Sequence, residues 1–268
     1  MRAITKRLIA VASAVFIGAL TAGVSSVPAS ADDAGGPSIN IVGGETAAEG
    51  EYPWMVRLSM GCGGSLLTDQ IVLTAAHCVG STGPDTSITA SYGSVDLNDP
   101  GVVDYQSDYV YRSPAYGSTG TEDWALVRLS QPVSDAHLLA IAETGDYDSG
   151  DFEIMGWGAD REGGFQQTQL RKAVVPFVDD TECGAAYGGS FDGPSEICAG
   201  YPEGGIDACQ GDSGGPMIAR DEAGQAVQVG IVSWGIGCAR AGYPGVYAQV
   251  SYSADDILAA AADLATVN

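Results

Sequence analysis

Asp207-Ala208-Cys209-Gln210-Gly211-Asp212-Ser213-Gly214-Gly215-Pro216 is the stretch on which the fold turns. Its inner run, Gly211 to Gly215, satisfies the pattern G-x-S-x-G, which places a serine on a sharp turn. Flanking glycines let the backbone turn tightly and let a reactant come close. They also free backbone N–H groups to face a developing oxyanion. An ordinary glycine-rich turn has the same composition, so the rest of the chain must decide. A serine nucleophile needs a base, usually histidine. The chain holds two, His77 and His137, and both precede Ser213. An α/β-hydrolase orders its triad serine, acid, histidine, so that fold cannot build one on Ser213. A lipase or esterase of that type is thereby excluded.

His77 lies in Leu73-Thr-Ala-Ala-His-Cys78, at the end of an apolar, strand-like run. An oxidised Cys78 would pin the backbone beside it, which suits a base that must hold one orientation. His137, in Ser134-Asp-Ala-His-Leu-Leu139, follows a proline and reads as a loop residue. A base needs an acid to fix its tautomer. Asp123 directly precedes the strand-like Trp124-Ala-Leu-Val-Arg-Leu129. A carboxylate at the mouth of an apolar strand is expensive to bury without a partner. Further β-rich runs, Ile71 to Thr74 and Val227 to Trp234, alternate with turns marked by 38 Gly and 12 Pro. Short strands with frequent turn signals predict an all-β sandwich or barrel.

The N-terminus sets the compartment. Residues 1–7 are basic, Leu8 to Val24 is apolar, and Ala29-Ser30-Ala31 follows. That layout predicts a signal peptide over 1–31, with the mature protein secreted and extracellular. No other stretch is apolar and long enough for a membrane partner. Six Cys in an exported chain predict disulfides, and six allow fifteen pairings. None has C-x-x-C spacing, and two histidines exclude a histidine-rich metal centre. The net charge of −23 would repel phosphates and argues against nucleic acid as a partner. Beyond residue 40 the only cations are Lys172 and seven Arg.

Seven motifs in order resemble the trypsin-like, chymotrypsin-fold family of serine proteases. They are Ile41-Val-Gly-Gly44, Thr74-Ala-Ala-His-Cys78, Asp123-Trp-Ala-Leu126, Gly156-Trp-Gly158, Asp207 to Pro216, Ser233-Trp-Gly235 and Pro244-Gly-Val-Tyr247. The resemblance runs from Ile41 to the C-terminus and looks most like bacterial, actinobacterial members. It implies an all-β fold of two packed antiparallel six-stranded β-barrels, about 41–150 and 151–250, with a C-terminal helix. It implies a triad of His77 as base, Asp123 as orienter and Ser213 as nucleophile, with the Gly211 and Ser213 N–H groups as oxyanion hole. The implied disulfides are Cys62–Cys78, Cys183–Cys198 and Cys209–Cys238.

The same resemblance implies specificity and activation. Asp207 would floor the S1 pocket and pair with Arg or Lys at P1, with Ala208, Ser233, Trp234, Gly235 and Gly245 around it. Ala208 stands where many trypsins have Ser, which removes a hydroxyl that helps hold lysine and predicts a preference for Arg. Ser233 to Gly235 would pair with the substrate backbone. Ile41 would become the mature N-terminus, its ammonium paired with Asp212. Residues 32–40 are then a propeptide, and 41–268 the peptidase domain. Asn40 departs from the Lys of animal trypsinogens, so the enzyme would not activate itself. Protein or peptide substrates, proteinaceous inhibitors and a monomer are expected, and no cofactor is required. Asp96, Asp99 and Asp104 leave a structural calcium site undecided. A catalytically dead, binding-only relative would lack a triad member, and none is missing. Ser253 is expected to cap the C-terminal helix, with Ile257, Leu258, Ala261 and Leu264 on one face.

Overall fold

The computed structural model describes residues 41–266. The signal-peptide and propeptide assignments over 1–31 and 32–40 fall outside the described residues.

Six strands make a first barrel: β1 (Met55–Leu58), β2 (Gly63–Leu66), β3 (Ile71–Thr74), β4 (Thr89–Tyr92), β5 (Val103–Arg112) and β6 (Ala125–Leu129). Their antiparallel order is β5-β4-β1-β2-β3-β6, closed by pairing of β5 with β6. A second barrel uses β7 (Asp151–Gly156), β8 (Arg171–Val178), β9 (Glu196–Ala199), β10 (Pro216–Arg220), β11 (Ala226–Trp234) and β12 (Gly245–Gln249). Its order is β8-β7-β10-β11-β12-β9, closed by β8 against β9. Two closed, antiparallel, six-stranded barrels are the fold that the seven motifs imply. Closure leaves no long edge to aggregate.

Ile71 to Leu73 of β3 and Ala125 to Val127 of β6 are apolar because both faces of these strands are covered. Val72, Val127 and Leu129 point into the first barrel. Ile71, Leu73 and Leu126 point outward, against the C-terminal helix Val250–Leu264 and against Ile231 and Ala248 of the second barrel. The helix therefore stands on a core shared by both barrels. A buried Ser65 hydroxyl also donates to Gln228 Oε1 across the junction, at 2.7 Å. Two short strands reach across as well. Glu45–Thr46 joins β8, and Ala140–Ile141 runs parallel to β11, so both ends of segment 41–150 belong to the second sheet.

The C-terminal helix departs from expectation at its start. It begins at Val250, directly after β12, with Gln249 at the cap and no side-chain capping bond. Ser253 is buried inside the helix and is not its cap. Ile257, Ala261 and Leu264 face the core as expected, whereas Leu258 is exposed. The chain enters the helix straight from the strand, so packing of Val250 fixes the entry rather than a cap.

The three disulfides form as Cys62–Cys78, Cys183–Cys198 and Cys209–Cys238, with no free cysteine among the described residues. No helix among them is long and apolar enough to cross a membrane.

Candidate active site

β3 ends at Thr74, and a single helical turn, Ala76–Cys78, carries His77. The Cys62 disulfide ties that turn to the start of β2. Asp123 sits one residue ahead of Trp124 and two ahead of β6, whose Ala125 pairs with Thr74. Strand pairing thus brings acid and base together from 46 positions apart. His77 Nδ1 lies 2.6 Å from Asp123 Oδ2, and the His77 backbone N–H donates to Oδ1 at 2.8 Å. The Ser233 hydroxyl donates to Oδ2 at 2.6 Å. Asp123 is 6% exposed. Burial alone would push its carboxyl up. The His77 bonds and charge, with Ser233, outweigh that and hold it below the usual range. Ser233, expected only beside the substrate, is thus also part of the support for Asp123.

Ser213 stands on a turn at the barrel junction. The Gly63 N–H of the first barrel donates to the Ser213 carbonyl at 2.8 Å. Gly214 has φ +78°, and a Cβ there would lie 2.7 Å from the Gly63 carbonyl and 3.0 Å from the Ala75 nitrogen. Only a glycine lets the Ser213 turn press this closely on the strand that leads to His77. The N–H groups of Asp212, Gly214 and Gly215 are spent on the carbonyls of Cys209, Val232 and Asp212. The N–H groups of Gly211 and Ser213 stay out of these turn bonds.

A cavity of about 140 Å³ is lined by Asp207, Ala208, Ser213, Ser233, Trp234, Gly235 and Gly245, with the Cys209–Cys238 bridge in its wall. All the residues expected around the specificity pocket therefore converge. Asp207 is 6% exposed and accepts from Ala208 N–H at 2.8 Å and Ala239 N–H at 3.1 Å. Burial pushes its carboxyl up to about 7 despite these bonds. A Cβ on Gly245 would lie 2.6 Å from Asp207 Oδ1, so any side chain there would cover the carboxylate. At Gly235 a Cβ would meet only the Tyr187 hydroxyl, at 3.8 Å. β11 loses its neighbour on one side after Val232, which bonds to Gly214 and Gly215, so the backbone from Ser233 to Gly235 is flanked by β12 alone.

Asp212 is fully buried, accepting from Gly158 N–H at 2.7 Å and Cys209 N–H at 2.9 Å. Burial raises its carboxyl to about 6, with these bonds and the Arg57 charge pulling it back. A Cβ on Gly156 or Gly158 would run into this carboxylate. Ile41 is also fully buried, in the core with Phe152 and Ile154, and Val42 bridges to Asp207.

Several contributors escaped the sequence reading. Glu196 accepts the Trp234 indole N–H at 2.7 Å beneath the cavity wall. Arg57 and Gln166 approach Gly211. The buried Tyr247 hydroxyl, without a hydrogen-bond partner among the described residues, borders Asp207. A tyrosine inside a barrel strand carries no local mark of this, whereas an Arg among eight cations was a usable signal. His137 is an exposed loop residue whose N–H donates to Tyr92, beside a separate cavity of about 460 Å³. Asp96 and Asp99 accept from Asn98 and Gly101 in local turns, and Asp104 accepts from Ser91. These three do not converge. Among the described residues the one cluster with ligand spacing is Cys62, His77 and Cys78, whose sulfurs are bonded to each other.

A carboxylate-supported histidine, and a glycine-flanked serine turn packed against the strand that leads to it where two β-barrels join, define the class of two-barrel serine hydrolases. The family model described as Trypsin matches residues 41–257. The chain is 51% identical to a trypsin-like protease of Streptomyces glaucescens over 249 residues, covering 92% of this chain and 91% of the relative. It is 39% identical to a trypsin of Saccharopolyspora erythraea over 218 residues, 78% and 93% of the two chains. It is 37% identical to Trypsin-1 of Astacus astacus over 248 residues, 82% and 99%. The chain belongs to the trypsin family and is a serine endopeptidase that acts on protein substrates.

Proposed function

We propose that this enzyme cleaves peptide bonds after Arg, and less efficiently after Lys, through an acyl-enzyme on Ser213. The carrying observation is the buried Asp207 carboxylate in a glycine-walled cavity that Ser213 also lines. A carboxylate this desolvated gains most from a cation that brings its own donors, and a guanidinium offers them in a fixed fork. Lysine lacks that fork, and Ala208 supplies no hydroxyl to compensate. His77 takes the Ser213 proton as Oγ attacks the carbonyl, and the Gly211 and Ser213 N–H groups receive the oxyanion. His77 then protonates the leaving amine, and water releases the acyl group. Asp123 fixes the ring, and the substrate backbone adds to the free side of Ser233 to Gly235.

The protein is exported, loses residues 1–31 and then 32–40, and matures at Ile41. The new ammonium pairs with Asp212, whose burial without such a charge is costly. The buried position of Ile41 in the second-barrel core supports this. The mature enzyme is a monomer, open to proteinaceous inhibitors that present an arginine. No calcium ligand set is proposed for Asp96, Asp99 and Asp104.

One experiment covers these points: the mature N-terminus and the cut sites are read together on a peptide library. Ile41 should lead the chain and Arg should dominate P1, with Lys second. Cuts after apolar residues, or equal kcat/KM on matched Arg and Lys peptides, would overturn the specificity. Fluorophosphonate labelling that persists in Ser213→Ala would remove the nucleophile, and no labelling of the mature protein would favour a binding-only role.

A further inference from the structure

Eight cations remain from Ile41 onward, and several are paired with surface acids: Arg220 with Glu153, Arg240 with Glu162, Lys172 with Glu51. Arg57 is placed differently. Its guanidinium leaves β1, is half-buried, and is spent on backbone. Nη1 donates to the Gly211 carbonyl at 2.9 Å and to the Gly61 carbonyl at 3.0 Å. Nη2 donates to Gln166 Oε1, and Gln166 Nε2 returns a bond to the Gly61 carbonyl at 3.2 Å. The Gln166 side chain also lies flush on Gly211, where a Cβ would stand 2.5 Å from Nε2. Residues 109 positions apart thus form one clamp on Gly211.

Gly211 needs such a clamp. It sits at φ +103°, a region that glycine enters and leaves without a steric barrier. Its carbonyl belongs to the peptide that joins it to Asp212, directly before Ser213. If that peptide swings, the Gly211 and Ser213 N–H groups no longer converge. We propose that Arg57, backed by Gln166, is a positioning residue for the oxyanion hole, pinning the Gly211 carbonyl so that these N–H groups point where charge develops. A charged donor makes the tie about twice as strong as a neutral one. Half-burial lowers the Arg57 pKa, and the Asp212 charge opposes that shift without reversing it; a guanidinium remains charged regardless. The inference rests on Gly211 and Ser213 being the oxyanion donors.

The test separates ground-state from transition-state affinity in the matured full chain. Benzamidine fills the Asp207 cavity and makes no oxyanion. A peptide argininal is attacked by Ser213 Oγ. The C–O bond forms, the serine proton passes to His77, and the aldehyde oxygen becomes the oxyanion. In Arg57→Met, argininal affinity and kcat/KM should both fall about ten- to hundredfold, with benzamidine affinity held within about twofold. Arg57→Lys keeps the charge but loses the fork and should fall less. Gln166→Ala should show the same selective pattern at smaller size, and it carries the test if Arg57→Met does not fold. Parallel losses of both ligands, or no loss of either, would overturn the proposal. Wild-type protein that ignores benzamidine would count against the Asp207 cavity reading instead. The fluorophosphonate labelling rate, which uses the oxyanion hole but not the cavity, then carries the same comparison.

Discussion

Asp207 offers a prediction with both a sign and a size. Its carboxyl rises from 3.8 to about 7 because burial outweighs the two N–H bonds that it accepts. A rise of about three pH units corresponds to about 4 kcal/mol. Between the unfolded and folded values, the native protein keeps a proton that the unfolded chain has lost. Stability therefore falls as pH rises from about 4 to about 7, and the whole loss is present above 7. The perturbations are pH and Asp207→Asn. A cationic ligand binds the ionised form, which is about nine-tenths populated at pH 8 and one-tenth at pH 6 for a pKa of about 7. Benzamidine affinity, read by calorimetry, should weaken roughly tenfold across that interval and level off above it. Asp207→Asn should abolish the binding. It should also melt higher than wild type at pH 8, because it removes a buried charge and its repulsion with Asp212. Benzamidine affinity that is flat from pH 5.5 to 8, or a variant that melts lower at pH 8, would refute the reasoning.

Other outcomes follow from single contacts. Ser233→Ala removes a hydroxyl 2.6 Å from a buried carboxylate, so kcat/KM should drop about ten- to hundredfold with the fold's melting little changed. Ala208→Ser adds the hydroxyl missing from the cavity and should move the Arg-to-Lys ratio of kcat/KM toward one; an unchanged ratio would clear Ala208 of any role. Replacing Cys183 and Cys198 by Ala opens a loop of 15 positions and should cost about 3 kcal/mol in urea unfolding, with activity kept below the new midpoint. Acetylating the mature Ile41 amine should abolish activity by leaving Asp212 without its cation, and full activity after acetylation would refute that pairing.

What could be read from the sequence were features written in neighbouring residues. Ile71 to Thr74, Trp124 to Leu129 and Val227 to Trp234 are mostly apolar, with Thr74, Arg128, Gln228 and Ser233 as their polar members, and each falls in or beside a barrel strand. The proposed triad rests on a different kind of argument. With two histidines in the chain, chemistry had one order available. The disulfide pairing had no such local mark and came with the family motifs. The helix start went astray because Ser253 looks like a cap in isolation. Only the path of β12 shows that the chain is already helical three residues earlier.

Arg57 marks where such reading ends. On paper it is one charge within Met55-Val-Arg-Leu58, a residue pointing out of a barrel strand. Its register opposite Gly63 and Ser91 decides which way it points. A Cβ on Gly63 would stand 3.1 Å from Gly215 Cα, and the Gly63 N–H holds the Ser213 carbonyl. That small residue thus lets the Ser213 turn approach, while Arg57 opposite it reaches Gly211. Neither contact is visible from spacing, because each depends on how two closed sheets meet. The same holds for Ser233 on Asp123, a bond across the junction spanning 110 positions, while closure of the second barrel by itself sets Glu196 under Trp234, 38 positions away. The proposed triad residues announce themselves by type. The groups that hold them still are ordinary in type and become specific only through closure of the two barrels. That is why the substitutions most informative about this enzyme fall outside the proposed triad.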